Sequence, residues 1–241
     1  VTRHDDRVFV LLLPPSEGKA PGGGEPSWRP GDGRFGAELA GPRQAVVDAL
    51  AAVDGGDATM LGARGPTLER ARSANRALVG APALPAHQRF TGVVWEHLGF
   101  STLGDTARRR ALANVLVING LAGVSALDDP LPDFRCKANA SLGAFGGVAR
   151  HWRQHLSPVL DDALDGKLVI DLLPAEHRGA WVPDPSRYDL RRVQIIDDQG
   201  RPIGHFAKAA KGRLARELLT ARSPKKVLDT WHHDGFRAEA R

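Results

Sequence analysis

A mixed α/β fold, a sheet flanked by helices in one domain spanning residues 1–241, is predicted by three observations. Short apolar runs begin at Val8, Val115, Lys167 and Arg191, and runs of that length bounded by turn residues read as buried strands, which excludes a helical bundle. Longer segments with helical apolar spacing lie between them. The 241 residues with 42% hydrophobic and 25% charged content suffice for one sizeable core and exclude global disorder.

The first strand, Val8–Leu13, is stopped by Pro14-Pro15. Residues 16–36 are rich in Gly and Pro and form a long irregular connection, the first candidate for a functional loop. Helices follow at Ala37–Val53 and Thr67–Val79, the second opened by Pro66. Asp105 is placed to cap a helix running to Asn114, and Val115–Ile118 is the next strand, ended by the glycine-marked loop Asn119–Gly123. Leu142–Leu164 has a helical pattern broken near Pro158, and Lys167–Leu173 is a strand ended by Pro174. Arg191–Ile196 and Pro202–Phe206 flank the turn Asp197–Gly200 as a hairpin. A closing helix, Ala207–Ala221, follows Phe206 and spaces Ala210, Leu214 and Leu218 along one face.

The formal charge is +5 with a sequence pI near 9.8, which favours anionic partners such as nucleic acid or phosphorylated metabolites. From Arg201 to Arg241 there are ten Lys/Arg against four Asp/Glu, so this fifth of the chain carries the basicity. No run is long enough to cross a bilayer and the apolar stretch near the start is too short for a secretory core, so a cytoplasmic protein without membrane contact is expected. The lone Cys136 excludes an internal disulfide, and no cofactor or metal site is predicted.

Lys208, Lys211, Arg213 and Arg216 cluster near the start of the last helix, where the dipole adds to their attraction for an anion; a solvated basic face is the competing explanation. Ser16, Glu17 and Lys19 sit past the end of the first strand, where open α/β sheets place ligand loops, although an exposed turn has the same composition. Neither a phosphate-loop pattern nor a dinucleotide fingerprint is present. Glu176 and His177 follow another strand end, within reach of general acid/base work. Cys136, between Arg135 and Lys137, is either an activated thiol or a small packed residue. His232-His233-Asp234 resembles a metal cluster but lacks spaced partners, and Trp152, Trp181 and Trp231 suit core packing better than base stacking.

The order of several stretches resembles the YaaA family of bacterial peroxide-stress proteins over most of the chain. They are Leu11–Lys19, Phe90–Trp95, Asn119–Val124, Pro132–Arg135, Trp152, Leu172–His177 and Phe206–Gly212. The resemblance implies a cytosolic mixed α/β domain with a basic cleft and DNA binding through a helix-hairpin-helix-like element. It also implies protection of DNA during peroxide stress by limiting free iron. Carried onto this chain, it points to Ser16, Glu17, Lys19, Asn119, Gly120, Gly123, Arg135, Glu176, Lys208, Lys211 and Gly212. Family tyrosines are replaced by Ala122, Phe134 and His177, leaving Tyr188 as the one tyrosine.

Three functions are therefore open. A DNA-binding stress protein would contact phosphates through Lys208, Lys211, Arg213 and Arg216 and approach the backbone with the Gly120–Gly123 hairpin. An enzyme acting on a nucleotide, nucleobase or other small anionic metabolite would use Glu17 or Glu176 as general acid/base, with Lys208 or Arg135 as clamp. An interaction protein would use the same polar groups as a structural network. The oligomeric state is not encoded in any feature of the sequence.

Overall fold

The computed structural model describes residues 9–204 and 207–241. Strand β1 (Phe9–Leu13) is buried at every position, as expected at the centre of a sheet covered on both faces. Val8, expected to open it, lies outside the described residues. Residues 14–35 form the anticipated irregular loop before α1 (Gly36–Ala52). In place of a ladder, the loop makes single bridges from Lys19 to Phe90 and from Gly24 to Ala83. It is also gripped by the fully buried Arg89, whose guanidinium donates to the carbonyls of Ala20, Gly22, Pro82 and Leu131.

Helices α2 (Ala58–Leu61) and α3 (Gly65–Arg76, with Pro66 in its first turn) lead to β2 (Leu84–Pro85), α4 (Ala86–Arg89) and α5 (Val93–Leu98). In α6 (Asp105–Asn114), Gly104 occupies the capping position. Asp105 is thus the first helical residue rather than the cap, and its carboxylate favours the helix through the dipole. Next come β3 (Val115–Asn119), the antiparallel β4 (Gly123–Ala126) and β5 (Pro130–Leu131), which pairs with β2.

The helix expected from Leu142 begins only at Val148, as α7 (Val148–Leu164), because Gly146 adopts a φ of +83° just before it. Nor does Pro158 break it. Val148, Trp152, Leu156, Leu160 and Leu164 form a buried stripe on both sides of the exposed Pro158. Burial of that stripe outweighs the roughly 3 kcal/mol that an interior proline costs. After β6 (Leu168–Asp171) and α8 (Ala175–Arg178), β7 (Asp189–Asp197) reaches the expected turn, where Asp197 accepts backbone hydrogen bonds from Gln199 and Arg201. The hairpin shrinks to one bridge, Ile196 to Pro202, since proline has no N–H for a ladder. His205 and Phe206 lie outside the described residues. The chain closes with α9 (Ala207–Thr220), α10 (Pro224–Thr230), β8 (His232–His233) and β9 (Phe236–Ala240). Ala210, Leu214 and Leu218 are buried on α9 as their spacing predicts.

Among the described residues the main sheet has seven strands, in the order β4-β3-β1-β6-β7-β9-β8. Its four inner strands, β3, β1, β6 and β7, are parallel, with Leu12 opposite Leu116 on one side and Asp171 on the other. Antiparallel strands extend both edges, and β9 is the true partner of β7. From β1 the chain steps to β3, then returns past β1 to β6. Right-handed crossovers therefore place α6 and α7, which lead into β3 and β6, on opposite faces. Accordingly α9 packs with α6 and α5, whereas α1 packs with α7.

Candidate functional site

The reversal of direction makes the carboxyl ends of β1 and β6 a topological switch point, where neighbouring strands send their loops apart and leave a crevice. A cavity of about 450 Å³ lies there. Ser16, Glu17 and Lys19 enter it from β1, Glu176 and His177 from β6, Lys208 and Lys211 from α9, and Arg135 with Lys137 from the segment after β5. Val93, Val94, Trp95 and Phe134 give it apolar walls.

On the β1 side the turn is fixed by Ser16, whose hydroxyl donates to the Gly18 carbonyl and accepts from the Thr91 amide at 3.0 Å. Glu17 is a brace. Its Oε2 receives Arg135 Nη2 at 2.7 Å and its Oε1 lies 3.5 Å from Lys137 Nζ. Partial burial raises its pKa, but Arg135 and Lys137 together outweigh that and hold the carboxylate below its ordinary range. Arg135 also donates to the carbonyls of Leu61 and Gly62, so it ties the β1 turn to the end of α2. Lys19 Nζ donates to the Ser16 carbonyl at 3.0 Å and stands 4.3 Å from the Phe134 ring centre. Desolvation, only partly offset by Asp133, lowers this amine to about 7.

On the β6 side the buried Asp171 accepts from the Leu173 amide at 2.7 Å and from Arg178 Nε at 2.8 Å, which sets the bend that delivers α8. Glu176 is half exposed and lies 3.6 Å from His177 Nδ1, an atom with no hydrogen-bond partner among the described residues. Burial, only partly offset by Glu176, lowers the His177 pKa and favours the neutral ring. Lys211 Nζ donates to the Leu172 carbonyl at 2.7 Å, and burial, reinforced by Arg178, brings it down to about 8. Lys208 is exposed at the mouth. Gly212 lines nothing but makes the geometry: a Cβ there would collide with the Val94 carbonyl and come 2.7 Å from His97 Cβ, so its hydrogen permits the close α9–α5 contact.

The remaining predicted residues lie elsewhere. Asn119, Gly120 and Gly123 form the buried β3–β4 turn, where Asn119 Oδ1 accepts from the Ala122 amide at 2.8 Å and Nδ2 donates to Ser125 Oγ at 3.1 Å. A Cβ on Gly120 would strike the Cys136 carbonyl, and one on Gly123 would lie 2.6 Å from the Trp152 ring. This turn is packed against the protein's own chain. Arg213 pairs with Asp234 and His233, and Arg216 donates to the carbonyls of Leu98 and Gly99 at the end of α5. All five tryptophans are buried, which settles core packing for Trp152, Trp181 and Trp231. Cys136 lines the cavity, but burial pushes its thiol up to about 12, away from the reactive thiolate. Among the described residues no group of three His, Cys, Asp or Glu side chains is placed to hold a metal.

Sequence reasoning missed Lys137 and Trp95 as cavity residues and the anchoring role of Arg89. A lysine two residues after Arg135 was visible, but the approach of this segment to Glu17, more than a hundred residues away, was not. Chemically, the site offers several cations, one carboxylate already neutralised by them, and a second carboxylate, Glu176, beside a neutral imidazole.

Fold and site define an α/β protein with a parallel inner sheet and a cation-lined switch-point cleft. The family model described as "Peroxide stress protein YaaA" matches residues 9–241, and the chain belongs to that family. A UPF0246 protein of Streptomyces coelicolor is 32% identical over 246 residues, covering 96% of this chain and 92% of its own. UPF0246 proteins of Corynebacterium efficiens and Corynebacterium glutamicum are 31% and 30% identical, covering 88% and 87% of this chain and 86% and 84% of theirs. No described helix is long and apolar enough to cross a membrane.

Proposed function

We propose that this peroxide-stress protein acts by binding a phosphate-bearing ligand of nucleotide size in the switch-point cleft. The observation that supports it is the convergence of Lys19, Arg135, Lys137, Lys208 and Lys211 on one cavity. Its volume of about 450 Å³ lies within the usual range for small-molecule sites. Exposed Lys208 makes the first phosphate contact. Lys211, with lowered proton affinity, regains its proton as the anion arrives. The apolar wall of Val93, Val94 and Phe134 receives the uncharged part of the ligand.

DNA binding, the function the family resemblance implies, uses the same cations if a single unstacked nucleotide enters the cavity while Lys208 holds the neighbouring backbone. Its specific support is the basic last fifth of the chain. In an enzyme version, Glu176 is the general acid/base and Glu17 remains a brace, since its ion pairs keep it ionised. Titration calorimetry with a nucleoside monophosphate, the matching nucleobase, and duplex and branched DNA at two salt concentrations separates these cases. Saturable nucleotide binding that exceeds nucleobase binding is expected. If neither nucleotide nor DNA binds, the proposal fails.

A further inference from the structure

We propose that Lys19 is a reactive amine that forms a reversible imine with the carbonyl group of an anionic ligand held in the cleft. The proposal builds on the cleft as the phosphate-ligand site and adds a covalent step within it.

The geometry separates this lysine from a structural one. A lysine that braces a fold is normally exposed or ion-paired. Lys19 has neither arrangement. The charged and titratable groups facing it are Asp133, Arg135, Cys136 and Glu17. Both carboxylates are already engaged: Asp133 takes Arg70 at 2.8 Å, and Glu17 takes Arg135 and Lys137. Among the described residues the Lys19 amine therefore has no ion pair, and the amine's one hydrogen bond goes to the Ser16 carbonyl. The amine lies 4.3 Å from the Phe134 centroid and 5.7 Å from that of Phe90, a surface that removes water from it. Desolvation of this kind activates catalytic lysines, because the neutral amine becomes abundant near neutral pH. Lys208 and Lys211 line the same cavity and supply the anion contact that would orient a carbonyl-bearing ligand.

The step balances without an oxidant or reductant. The Nζ lone pair attacks the carbonyl carbon and forms the C–N bond. The carbonyl C–O bond then breaks, and its oxygen leaves as water with the two amine hydrogens. Hydrolysis reverses the sequence. Substrates of this class are aldehydes or ketones that carry a phosphate or carboxylate.

Pyridoxal 5′-phosphate serves as a probe because it combines an aldehyde with a phosphate. Wild-type protein is treated with limiting probe at pH 7, reduced with borohydride, digested and mapped by mass spectrometry. An amine near 7 is about a thousandfold richer in neutral form at that pH than an ordinary lysine near 10.4. Lys19 is therefore expected to be labelled on the order of a hundredfold faster than the exposed Lys225 and Lys226, and a nucleoside monophosphate is expected to slow it. Labelling of Lys19 at the rate of Lys225 and Lys226, or a first adduct on Lys208 or Lys211, would overturn the imine. Nucleotide binding is read separately by tryptophan fluorescence, so its persistence alongside slow labelling sinks the imine alone. Its absence sinks the cleft reading and the anionic ligand with it.

Discussion

The turns at the ends of β1 and β3 are alike in the kinds of residue they carry and opposite in fate. Each follows a buried apolar strand, and each combines small residues, glycine and a polar side chain. After β3 the chain folds straight back as β4, so the turn is enclosed by its own hairpin, and Trp152 seals it by donating Nε1 to the Gly120 carbonyl at 2.8 Å. After β1 the chain leaves the sheet, and its parallel neighbour β6 sends its own loop away as well. One strand end is filled and the other open. Polar groups past a strand become a site only where the following chain departs; where it returns, they become internal hydrogen bonds.

The sharpest test of the filled end is Gly123→Ala, which forces a side chain into a φ of +72° and against Trp152. A loss of roughly 3 kcal/mol in denaturant unfolding is expected. Asn119→Ala strips partners from the Ala122 amide and Ser125, and about 2 kcal/mol should go, with affinity for nucleotide in the surviving folded protein unchanged by calorimetry. At the open end the pattern reverses. Lys208→Ala should leave stability within about 0.5 kcal/mol yet weaken nucleotide binding roughly tenfold. If DNA is the ligand, removing Lys208 and Lys211 together lowers the salt slope by about two.

Changing pH moves binding and stability of the open end in opposite directions. As pH rises through about 7 to 8, Lys19 and Lys211 lose their protons and anion affinity falls. The folded values lie below the ordinary 10.5, so over the range from about 7 to 10.5 the unfolded chain binds more protons and stability rises with pH. Calorimetry and denaturation at pH 6 and pH 9 measure both, and parallel trends would contradict the assignment. The smallest effect belongs to Arg213→Ala, outside the cleft, with at most about 0.5 kcal/mol in stability and no change in affinity.

The inner strands β1, β3 and β6 were legible because burial leaves a short apolar run in each, and β7 because Val193, Ile195 and Ile196 lead into the turn at Asp197. Strand β9, Phe236–Ala240, was not, since an antiparallel edge position accommodates the charged Arg237 and Glu239. For the candidate site, Ser16, Glu17, Lys19, Glu176, Lys208 and Lys211, read from strand ends and charge, come together on one cavity. Arg213 and Arg216 lie outside the cavity with partners from other segments, and the buried Arg43 and Arg89 were not legible, because a guanidinium satisfied by backbone carbonyls looks in sequence like any surface charge. Helical spacing also cannot show that Gly212 is needed for the approach of α5 rather than for a ligand.

Arg89 fastens the rim of the cleft with one fork of donors where a sheet would use a ladder. A ladder frays residue by residue from its end, but a knot of four carbonyls on one guanidinium lets go as a unit. The amide hydrogens of Ala20 and Gly24, bonded to the carbonyls of Arg89 and Ala83, accordingly exchange with solvent together, at an opening free energy below that of the sheet.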